Sequence, residues 1–460
     1  MGRYTLILTV LFIAACSGGS GSSSTGNSHI PSASETRLMN DRDFVFTGIG
    51  YDDSETQTYT EPAGNTFYVD PVNGSGAGDG SEANPWGTLQ QVIEGGLIET
   101  WNRPEGDPDR VQVNSGAPVK AGDMLVLKEG FHGVVYIREM YNDSPITIRA
   151  AANEAAVIKY VRVLSSGNWR FDGLHVTMEQ SLSDFENVPL FRVESYEYGR
   201  STGIEVYNSK LYTVSDISNW NITDWNEVAL SAMNIDGDNI TIRNNFIANI
   251  DFGISVGGSF NTISRNTVKN FAGDGMRGNG NDLLFEENLI KNSYDVNDNH
   301  DDGFQSFSVN GQPDRERVTL RRNVILNYDD PDRDFIGSLQ GIGCFDGFYR
   351  NWLVEKNLVI VDHWHGISLY GTTDTVVQNN IVADINTLEP GPPWIMIHDH
   401  KDGRPSENVI VRNNIAHTYS LSGNNITNEN NREITVEERD TLFVDPDNLD
   451  FRLLDPGMLD

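Results

Sequence analysis

A short pattern of alternating apolar and polar residues recurs through the second half of the chain. Each instance has an apolar alternating stretch, an Asn and a second apolar pair, as in ITIRNNFI from residue 240 and LVEKNLV from residue 353. The aligned asparagines are Asn245, Asn266, Asn288, Asn323, Asn357, Asn380 and Asn414. Spacings of 21 to 23 residues fit one coil of three short strands, and spacings of 34 or 35 residues indicate a coil with an insertion.

The position of the recurrent Asn predicts a tight bend between two strands of a coil. Asn tolerates the left-handed backbone region, so we expect these residues to adopt it and their amides to form a ladder from coil to coil. A third strand then begins with Gly, at Gly253, Gly275, Gly303, Gly343 and Gly366. Because side chains alternate along a strand, Ser255, Arg277, Gln305, Phe345 and Ser368 are predicted to form one outward column. The inward residues are then Ile254, Met276, Phe304, Cys344 and Ile367.

This repeat resembles the right-handed parallel β-helix of the pectate-lyase superfamily. The segment FYVDPVNGSGAGDGSEANPWGTLQQVI at 67–93 is similar to the opening of such proteins, and LFVDPDNLDFRLL from residue 442 is similar to their last coil. The resemblance implies an all-β fold, a single solenoid of about ten or more coils over residues 65–445. It also implies an N-terminal capping helix near Pro85 to Glu94. This fold carries lyases, hydrolases, epimerases, esterases and phage adhesins, so it does not define an activity.

The N-terminal segment predicts export. An apolar run in MGRYTLILTVLFIAA precedes Cys16, and the run is too short to span a bilayer. The sequence Ile13-Ala14-Ala15-Cys16 resembles a bacterial lipobox, which implies cleavage before Cys16 and lipidation of that residue. The Gly/Ser-rich stretch that follows predicts a flexible tether. We therefore divide the chain into a signal peptide (1–15), a tether (16–60) and a β-helix catalytic domain (61–460), and expect a lipid-anchored protein of the bacterial cell envelope, at the outer membrane.

Composition narrows the function classes. The chain has 33 Lys plus Arg against 66 Asp plus Glu, a formal net charge of −33. Such a surface repels nucleic acid, so nucleic-acid binding is rejected as the main activity. Hydrophobic residues make up 38% of the chain, which rules out a polytopic membrane protein. Cys16 and Cys344 are the two cysteines, so a disulfide scaffold is excluded. We expect a monomer that meets the membrane through its lipid anchor only.

Insertions between the repeats predict where function lies. Two acidic inserts precede Gly303 and Gly343, at residues 293–302 and 328–335, and a Pro-rich insert precedes Ile395. A fourth, at residues 398–402, follows the strand at Ile395. All flank the outward column, so we expect them to wall a groove that in this superfamily holds a polysaccharide chain.

The first acidic insert predicts a calcium site. Ca²⁺ takes 6 to 8 oxygen ligands, largely carboxylates and carbonyls. The candidate ligands are Asp295, Asp298, Asp301 and Asp302, with Asp274 one coil earlier. The stretch KNSYDVNDNHDDGF loosely resembles the acidic coil of calcium-dependent pectate lyases, which implies Ca²⁺ as the cofactor. A second acidic loop, at residues 329–334, contains Pro331 and Arg333 and favours a plain turn.

The outward column and its neighbours supply candidate catalytic groups. Arg277 can bind a uronate carboxylate in bidentate fashion. β-Elimination requires that this carboxylate be neutralised. Gln305 is predicted to lie beside Arg277 on the next coil. His300 or His365 is the candidate base, because a neutral His can remove a proton near pH 7. Lys401 is the competing base, and Tyr370 or water is the acid for the leaving oxygen. The remaining candidates for substrate binding are Phe345, Trp394 and His398.

These residues favour a polysaccharide lyase that cleaves an acidic, uronate-containing polysaccharide such as alginate or pectate by β-elimination. A glycoside hydrolase of the same fold, using paired Asp residues, is the alternative. A uronate C5-epimerase would use the same initial proton abstraction, and the tether alone supports a non-catalytic glycan-binding surface protein. The sequence leaves these alternatives open.

The anchor yields a direct test. Replacing Cys16 with Ala removes the residue that would carry the lipid, so the protein is expected to leave the membrane fraction with its activity unchanged. Cell fractionation and immunoblotting measure this. A Cys16→Ala protein that stays in the membrane fraction contradicts the anchor.

Overall fold

The computed structural model describes residues 61–308, 312–386, 388–448, 450–455 and 457. The chain winds through these residues as a solenoid, and the strands of successive coils stack into three long sheets. The predicted all-β parallel β-helix is confirmed. The predicted signal peptide, Cys16 and the tether lie outside the described residues. No helix in the described ranges is long and apolar enough to cross a bilayer.

Three sheets form the sides of the solenoid. Sheet 1 has eighteen strands in the described chain: Thr66–Val69, Thr100–Trp101, Gln112–Val113, Met124–Leu127, Tyr141–Ala150, Gly167–Asp172, Thr202–Tyr207, Thr241–Arg243, Thr262–Ser264, Leu284–Glu286, Arg315–Glu316, Thr319–Arg321, Tyr349–Arg350, Leu353–Glu355, Thr372–Thr373, Val376–Gln378, Glu407–Arg412 and Asn424–Glu429. Sheet 2 has twelve: Gly130–Phe131, Ala156–Ile158, His175–Thr177, Lys210–Tyr212, Phe246–Ile250, Thr267–Phe271, Leu289–Ser293, Val324–Leu326, Leu358–Val361, Ile381–Asp384, Ile415–Ala416 and Arg432–Glu433. Sheet 3 has eleven: Val135–Arg138, Val161–Leu164, Phe191–Glu194, Met233–Asp236, Ile254–Gly257, Met276–Gly278, Asp302–Phe307, Gln340–Asp346, His365–Tyr370, Trp394–His398 and Thr418–Leu421.

Helices are few and short. Helix α1 (Leu89–Glu94) closes the N-terminal end with Leu89 and Val92 buried, and Thr88 caps it with Gln91 in a reciprocal capping box. The predicted capping helix is therefore confirmed, although it begins four residues after Pro85. Helix α2 spans Ile222–Val228. At the C-terminal end, helix α3 (Arg439–Leu442) precedes an antiparallel pair, Phe443–Asp445 and Asp450–Leu453, and short 3₁₀ helices lie at Glu179–Asp184 and Pro446–Asn448.

Strand register puts like residues on top of one another. In sheet 3, Ile254 pairs with Met276, Met276 with Phe304, and Phe304 with Ile342, all of them buried. Each coil thus buries its apolar side chains against those of its two neighbours, and one continuous core runs the length of the solenoid. A single coil has no core of its own, so stability comes from stacking.

The predicted asparagine ladder is present and extends beyond the seven aligned positions. Each ladder amide donates from Nδ2 to Oδ1 of the Asn on the next coil, at 2.9 to 3.1 Å, from Asn245 through Asn414 to Asn431. Each Oδ1 also accepts from the backbone N–H of the Asn below it, and each Nδ2 also donates to a backbone carbonyl, as at Asn288. The buried amide is therefore fully hydrogen-bonded, which removes the cost of placing it in the core.

One feature of the ladder prediction is wrong. The left-handed residue at the bend is the one before each ladder Asn, with φ of 53° to 58° at Asn244, Arg265, Glu287, Arg322, Lys356, Asn379 and Asn413. The ladder Asn itself must point inward to meet its neighbours, so the bend falls one residue earlier. Left-handed asparagines do line a different corner, at the end of sheet 2 strands: Asn270 donates to Asn249 at 2.8 Å, and Asn292 donates to Asn270 at 3.3 Å.

The ladder predicts a large stability loss on truncation. Asn288→Ala leaves the buried backbone N–H of Asn266 without its acceptor, and it removes one of the two hydrogen bonds made by Asn266 Nδ2 and by Asn323 Oδ1. We expect the free energy of unfolding to fall by about 2–4 kcal/mol, measured by denaturant titration. The exposed Asn219→Ala serves as the control and should change it by less than about 0.5 kcal/mol. Equal effects at the two positions would contradict the ladder's role.

Candidate functional site: a groove along sheet 3

A four-residue pattern repeats where sheet 3 strands begin. It consists of a variable residue, Gly, an inward apolar residue and an outward residue. The five successive instances are Phe252-Gly-Ile-Ser255, Asp274-Gly-Met-Arg277, Asp302-Gly-Phe-Gln305, Gln340-Gly-Ile-Gly343 and His365-Gly-Ile-Ser368. The outward residues pair in register from Ser255 to Ser368. Chemically active side chains therefore lie in two adjacent columns, the first and fourth residues of the pattern.

The register corrects one predicted coil. The sequence pattern predicts that Gly343 begins a strand, that Cys344 points inward and that Phe345 joins the outward column. Instead Gly341 begins the pattern, Gly343 occupies the outward position beside Gln305, and Phe345 lies two residues further along. The reason is that the strand begins at Gln340, so both Ile342 and Cys344 face the core.

The glycines are required by close stacking. A Cβ added to Gly253, Gly275, Gly303, Gly341 or Gly366 would lie 2.0 to 2.9 Å from a carbonyl oxygen of the next coil. No side chain fits at that distance, so the backbone bends of successive coils can touch only through glycine. This contact brings the variable residues of neighbouring coils close together at the edge of the groove.

Arg277 is held as a fixed cation in the groove. Its Nε donates to Asp274 Oδ2, and its guanidinium lies 4.0 Å from the ring centre of Phe252 and 5.9 Å from that of Phe307. The side chain is 26% exposed, whereas that of Asp274 is 1% exposed. The buried carboxylate and the two rings thus orient the guanidinium and leave part of it open to a ligand.

Asp302 repeats this arrangement one coil further on. Gln305 Nε2 donates to Asp302 Oδ2 at 2.9 Å, and the Asp302 backbone N–H donates to Asp274 Oδ1 at 3.1 Å. Asp302 is 1% exposed. Its Oδ1 has no partner among the described residues and lies where a Cβ on Gly343 would be only 2.1 Å away. Asp302 therefore positions Gln305 in the groove as Asp274 positions Arg277.

The carboxylates of this cluster have raised pKa values. Burial is the main cause for each, and neighbouring carboxylates add to it for Asp251, Asp301 and Asp302. The pKa of Asp301 rises to about 8 and that of Asp251 to about 6, and the pKa values of Asp274 and Asp302 also rise. For Asp274, the charge of Arg277 is the leading opposing effect. At neutral pH this cluster therefore binds protons that isolated aspartates would release.

The four aspartates predicted as calcium ligands do not gather in one place. Asp301 and Asp302 are buried, whereas Asp295 and Asp298 are exposed on the loop. Within the part of the chain that the structure describes, no group of three or more His, Cys, Asp or Glu side chains is arranged to hold a metal ion. The predicted ligand set does not fit Ca²⁺ in this conformation.

A second cluster lies further along the groove and is mainly aromatic. His365 Nδ1 lies 2.8 Å from Ser368 Oγ, and its ring contacts Phe345 at 4.7 Å between centroids and Trp394 at 5.3 Å. Tyr370 packs on Phe345 at 5.2 Å and, one coil on, His398 at 5.2 Å. Lys401 Nζ donates to Asp346 Oδ1 at 2.7 Å and lies 5.9 Å from the Phe345 ring centre. The structure thus brings Phe345, His365, Tyr370, Trp394, His398 and Lys401 into one region.

The predicted catalytic residues fall into two groups. Arg277 and Ser368 are three coils apart in register, about 14 Å at the strand spacing. Arg277 and the His365–Tyr370 region therefore form two separate parts of this face. His300, exposed on its loop, lies within electrostatic range of both groups, since its charge lowers the pKa of Asp274 and of His363.

Inserted segments precede several sheet 3 strands, and two of these segments lie outside the predicted set. The segments at 178–190 and 213–232 also precede sheet 3 strands, and the second contains helix α2. Trp225 of that helix packs on Tyr294 at 4.4 Å, and Asn226 Nδ2 donates to the Val296 carbonyl at 2.9 Å. Both segments precede residue 240, where the recognisable Asn pattern begins. The set of candidate site residues predicted from the sequence also lacks Phe252, Phe307 and His363. The repeated Gly pattern marks the position of Phe252.

Comparisons with known proteins agree with this architecture. The family model described as "Right handed beta helix region" matches residues 252–441, which gives the hand of the solenoid. Among solved structures, the pectate lyase Pel9A is similar at 15% identity and a TM-score of 0.43, covering 84% of each chain. The A-module of the mannuronan C-5 epimerase AlgE6 from Azotobacter vinelandii shows 9% identity and a TM-score of 0.46, covering 68% of this chain and 91% of that one.

A rhamnogalacturonan lyase shows 15% identity and a TM-score of 0.38, covering 83% of this chain and 91% of that one. No curated protein sequence matches the chain significantly. The fold is a right-handed parallel β-helix.

The raised carboxylate pKa values predict how stability depends on pH. The pKa of Asp301 is about 8 in the folded state, above the unfolded value near 3.9. The contribution of this carboxyl to the free energy of unfolding is therefore complete below the unfolded pKa and is lost as pH rises towards 8. The Asn side chain of Asp301→Asn does not titrate, so this variant does not lose stability in this way as pH rises. We expect its free energy of unfolding to exceed that of the wild type by about 1–3 kcal/mol at pH 8, with little difference near pH 4.

Denaturant unfolding at the two pH values measures this difference. The exposed Asp298→Asn, three residues away on the same loop, is the control and should show no such pH-dependent gain. An Asp301→Asn protein that is less stable than the wild type at pH 8 would contradict the buried, protonated state of this carboxyl.

Proposed function

We propose that this protein is a polysaccharide lyase that cleaves a uronate-containing glycan by β-elimination in the groove along sheet 3. The observation that carries the proposal is Arg277, a rigid and partly exposed cation at the bottom of a groove in a chain of net charge −33. An acidic glycan would be repelled by most of such a surface. A fixed guanidinium provides the local site where one sugar carboxylate can bind.

The residues around Arg277 suit the first step of an elimination. The proton next to a uronate carboxylate becomes more acidic when that carboxylate is neutralised, and Arg277 would supply the positive charge. His300 is the proposed base, because it is exposed and lies close enough for its charge to act on Asp274. Loss of the C5 proton and cleavage of the C4–O4 bond leave an unsaturated sugar. Water protonates the leaving oxygen in this scheme, since Tyr370 lies about three coils from Arg277.

A glycoside hydrolase is the second candidate. Asp274 and Asp302 lie one coil apart with raised pKa values, and one protonated and one ionised carboxyl are what a hydrolase uses. Their burial weighs against it, because exposed fractions of 2% and 1% leave no surface for contact with a glycosidic oxygen. In the lyase proposal the same carboxylates hold Arg277 and Gln305 in place.

Product analysis separates the candidates. The protein is incubated with polygalacturonate, polymannuronate and polyguluronate, and unsaturated products and new reducing ends are measured in parallel. The lyase proposal expects both. New reducing ends without unsaturation select the hydrolase, and C5 inversion without cleavage selects the epimerase. A parallel incubation with chelator tests the proposed Ca²⁺ requirement, on which no step above depends.

Variants of the Arg277 group test the assignment of roles. On the best substrate, His300→Ala should lower kcat by about 10²–10⁴-fold, the usual effect of removing a base. Arg277→Ala should lower kcat/KM by about 10²-fold or more, and Arg277→Lys should recover part of this, because it keeps the charge and loses the bidentate geometry. Arg321→Ala, at a partly exposed Arg on sheet 1, is the matched control. Near wild-type turnover of folded His300→Ala and Arg277→Ala proteins would place the reaction elsewhere.

A further inference from the structure

The second cluster of the groove contains two histidines whose hydrogen-bond partners fix their tautomers. The backbone N–H of His365 donates to Nδ1 of His363 at 3.1 Å. The indole Nε1–H of Trp394 donates to Nδ1 of His365 at 3.2 Å. The backbone N–H and the indole N–H are donors only, so an Nδ1 that accepts from them carries no proton, and the proton of the neutral ring then lies on Nε2.

Ser368 does not change this assignment. Its Oγ lies 2.8 Å from His365 Nδ1 and 3.3 Å from Trp394 Nε1, and Ser368 is fully buried. A proton on His365 Nδ1 would face the indole N–H at close range, whereas the Ser368 hydroxyl can rotate to suit either neighbour. The indole N–H of Trp394, shared between His365 Nδ1 and Ser368 Oγ, therefore favours the tautomer of His365 with its proton on Nε2.

The two Nε2–H groups are available to a ligand, and both residues are half-buried. Neither has a hydrogen-bond partner in the described chain, and neither is among its enclosed and unpaired polar atoms. The rings stack with centroids 5.3 Å apart and planes inclined by 23°, so the two donors lie near one another. Burial lowers the pKa of each imidazole to about 4, which keeps both rings neutral at pH 7.

We infer that His363 and His365 form a pair of neutral N–H donors that binds a carboxylate of the glycan. The sugar unit that carries this carboxylate lies several sugar units along the glycan from the one bound at Arg277. A carboxylate accepts hydrogen bonds and donates none, which matches two donors with no free acceptor between them. A sugar hydroxyl would leave its own proton unmatched. This inference rests on the proposed uronate substrate and gives His365 a binding role in place of the base role considered from the sequence.

The surroundings suit a sugar ring beside the two donors. Trp364 is 45% exposed and lies 6.2 Å from Trp394 between ring centroids, and Phe345 meets the edge of His365. Aromatic faces of this kind pack against the apolar face of a pyranose. Lys401, close to Phe345, adds a positive charge at the rim.

The tautomers can be tested without substrate. Selective ¹⁵N labelling of histidine and long-range ¹H–¹⁵N correlation at pH 7 should show His363 and His365 protonated on Nε2 and unprotonated on Nδ1, with the signals assigned from the single variants. Trp394→Phe should release His365 from this fixed tautomer and leave that of His363 unchanged. A proton on Nδ1 of either ring in the wild type overturns the inference.

Binding tests the role of the pair separately from catalysis. Binding is measured by calorimetry with saturated hexamers of galacturonate, mannuronate and guluronate and with their carboxyl-reduced counterparts. The His300→Ala protein is used if the wild type cleaves the hexamers, and the wild type is used if it does not. We expect His363→Phe and His365→Phe each to weaken binding of the best uronate hexamer about tenfold or more, since each loses one hydrogen bond to a charged acceptor. His363→Gln and His365→Gln, which can keep a donor near the Nε2 position, should retain most of the affinity.

The controls make both outcomes informative. His175→Phe, on sheet 2, should not change binding. The carboxyl-reduced hexamers should bind weakly and be insensitive to the Phe substitutions. Three outcomes would overturn the inference. The first is equal binding of acidic and reduced hexamers, and the second is no binding of any uronate hexamer. The third is a His365→Phe protein that binds normally but loses kcat by about 100-fold. Absence of cleavage with normal, histidine-dependent binding would instead count against the proposed lyase activity alone.

Discussion

The amide ladder is the interaction on which the rest of this structure depends. The seven asparagines of the repeat, together with Asn431, pass hydrogen bonds from one coil to the next inside an otherwise apolar core. Each amide finds all its partners only when neighbouring coils are in one particular register, because a shift by one residue would leave buried donors and acceptors unpaired. Every other position in a coil is then fixed relative to the coil above and below.

That fixed register creates the groove. Where sheet 3 begins, glycine lets successive bends approach until only backbone atoms fit between them, as at Gly253 and Gly341. The residue before each glycine and the residue two after it become columns of side chains at the strand spacing of about 4.8 Å. The surface therefore repeats from coil to coil, and substitutions in two columns can change its chemistry without disturbing the core.

The site also has an energetic cost that the scaffold offsets. Asp274, Asp301 and Asp302 are buried near the half-buried Asp251, and Arg277 and Gln305 satisfy only some of their oxygens. Buried carboxylates that raise one another's pKa values destabilise the folded state at neutral pH. Such groups persist in functional sites because rigid elements hold them, and in this protein the stacked coils do so. The second cluster avoids this cost, since its two imidazoles are neutral and its aromatic rings are apolar.

The amino-acid sequence determined the architecture because one unit repeats. The Asn and Gly positions define the coil length, the ladder and the face where inserts gather, since these follow from local spacing and from alternation along strands. The sequence also selected Arg277, Gln305, His365 and Tyr370 as groove residues. The tertiary structure alone decided the left-handed position one residue before each ladder Asn and the register at Gly341. It decided, too, that Asp301 and Asp302 are buried while Asp295 and Asp298 are not. These features depend on how long each insert is when folded and which side chains meet across coils, and spacing along the chain does not encode distances between segments brought together by packing.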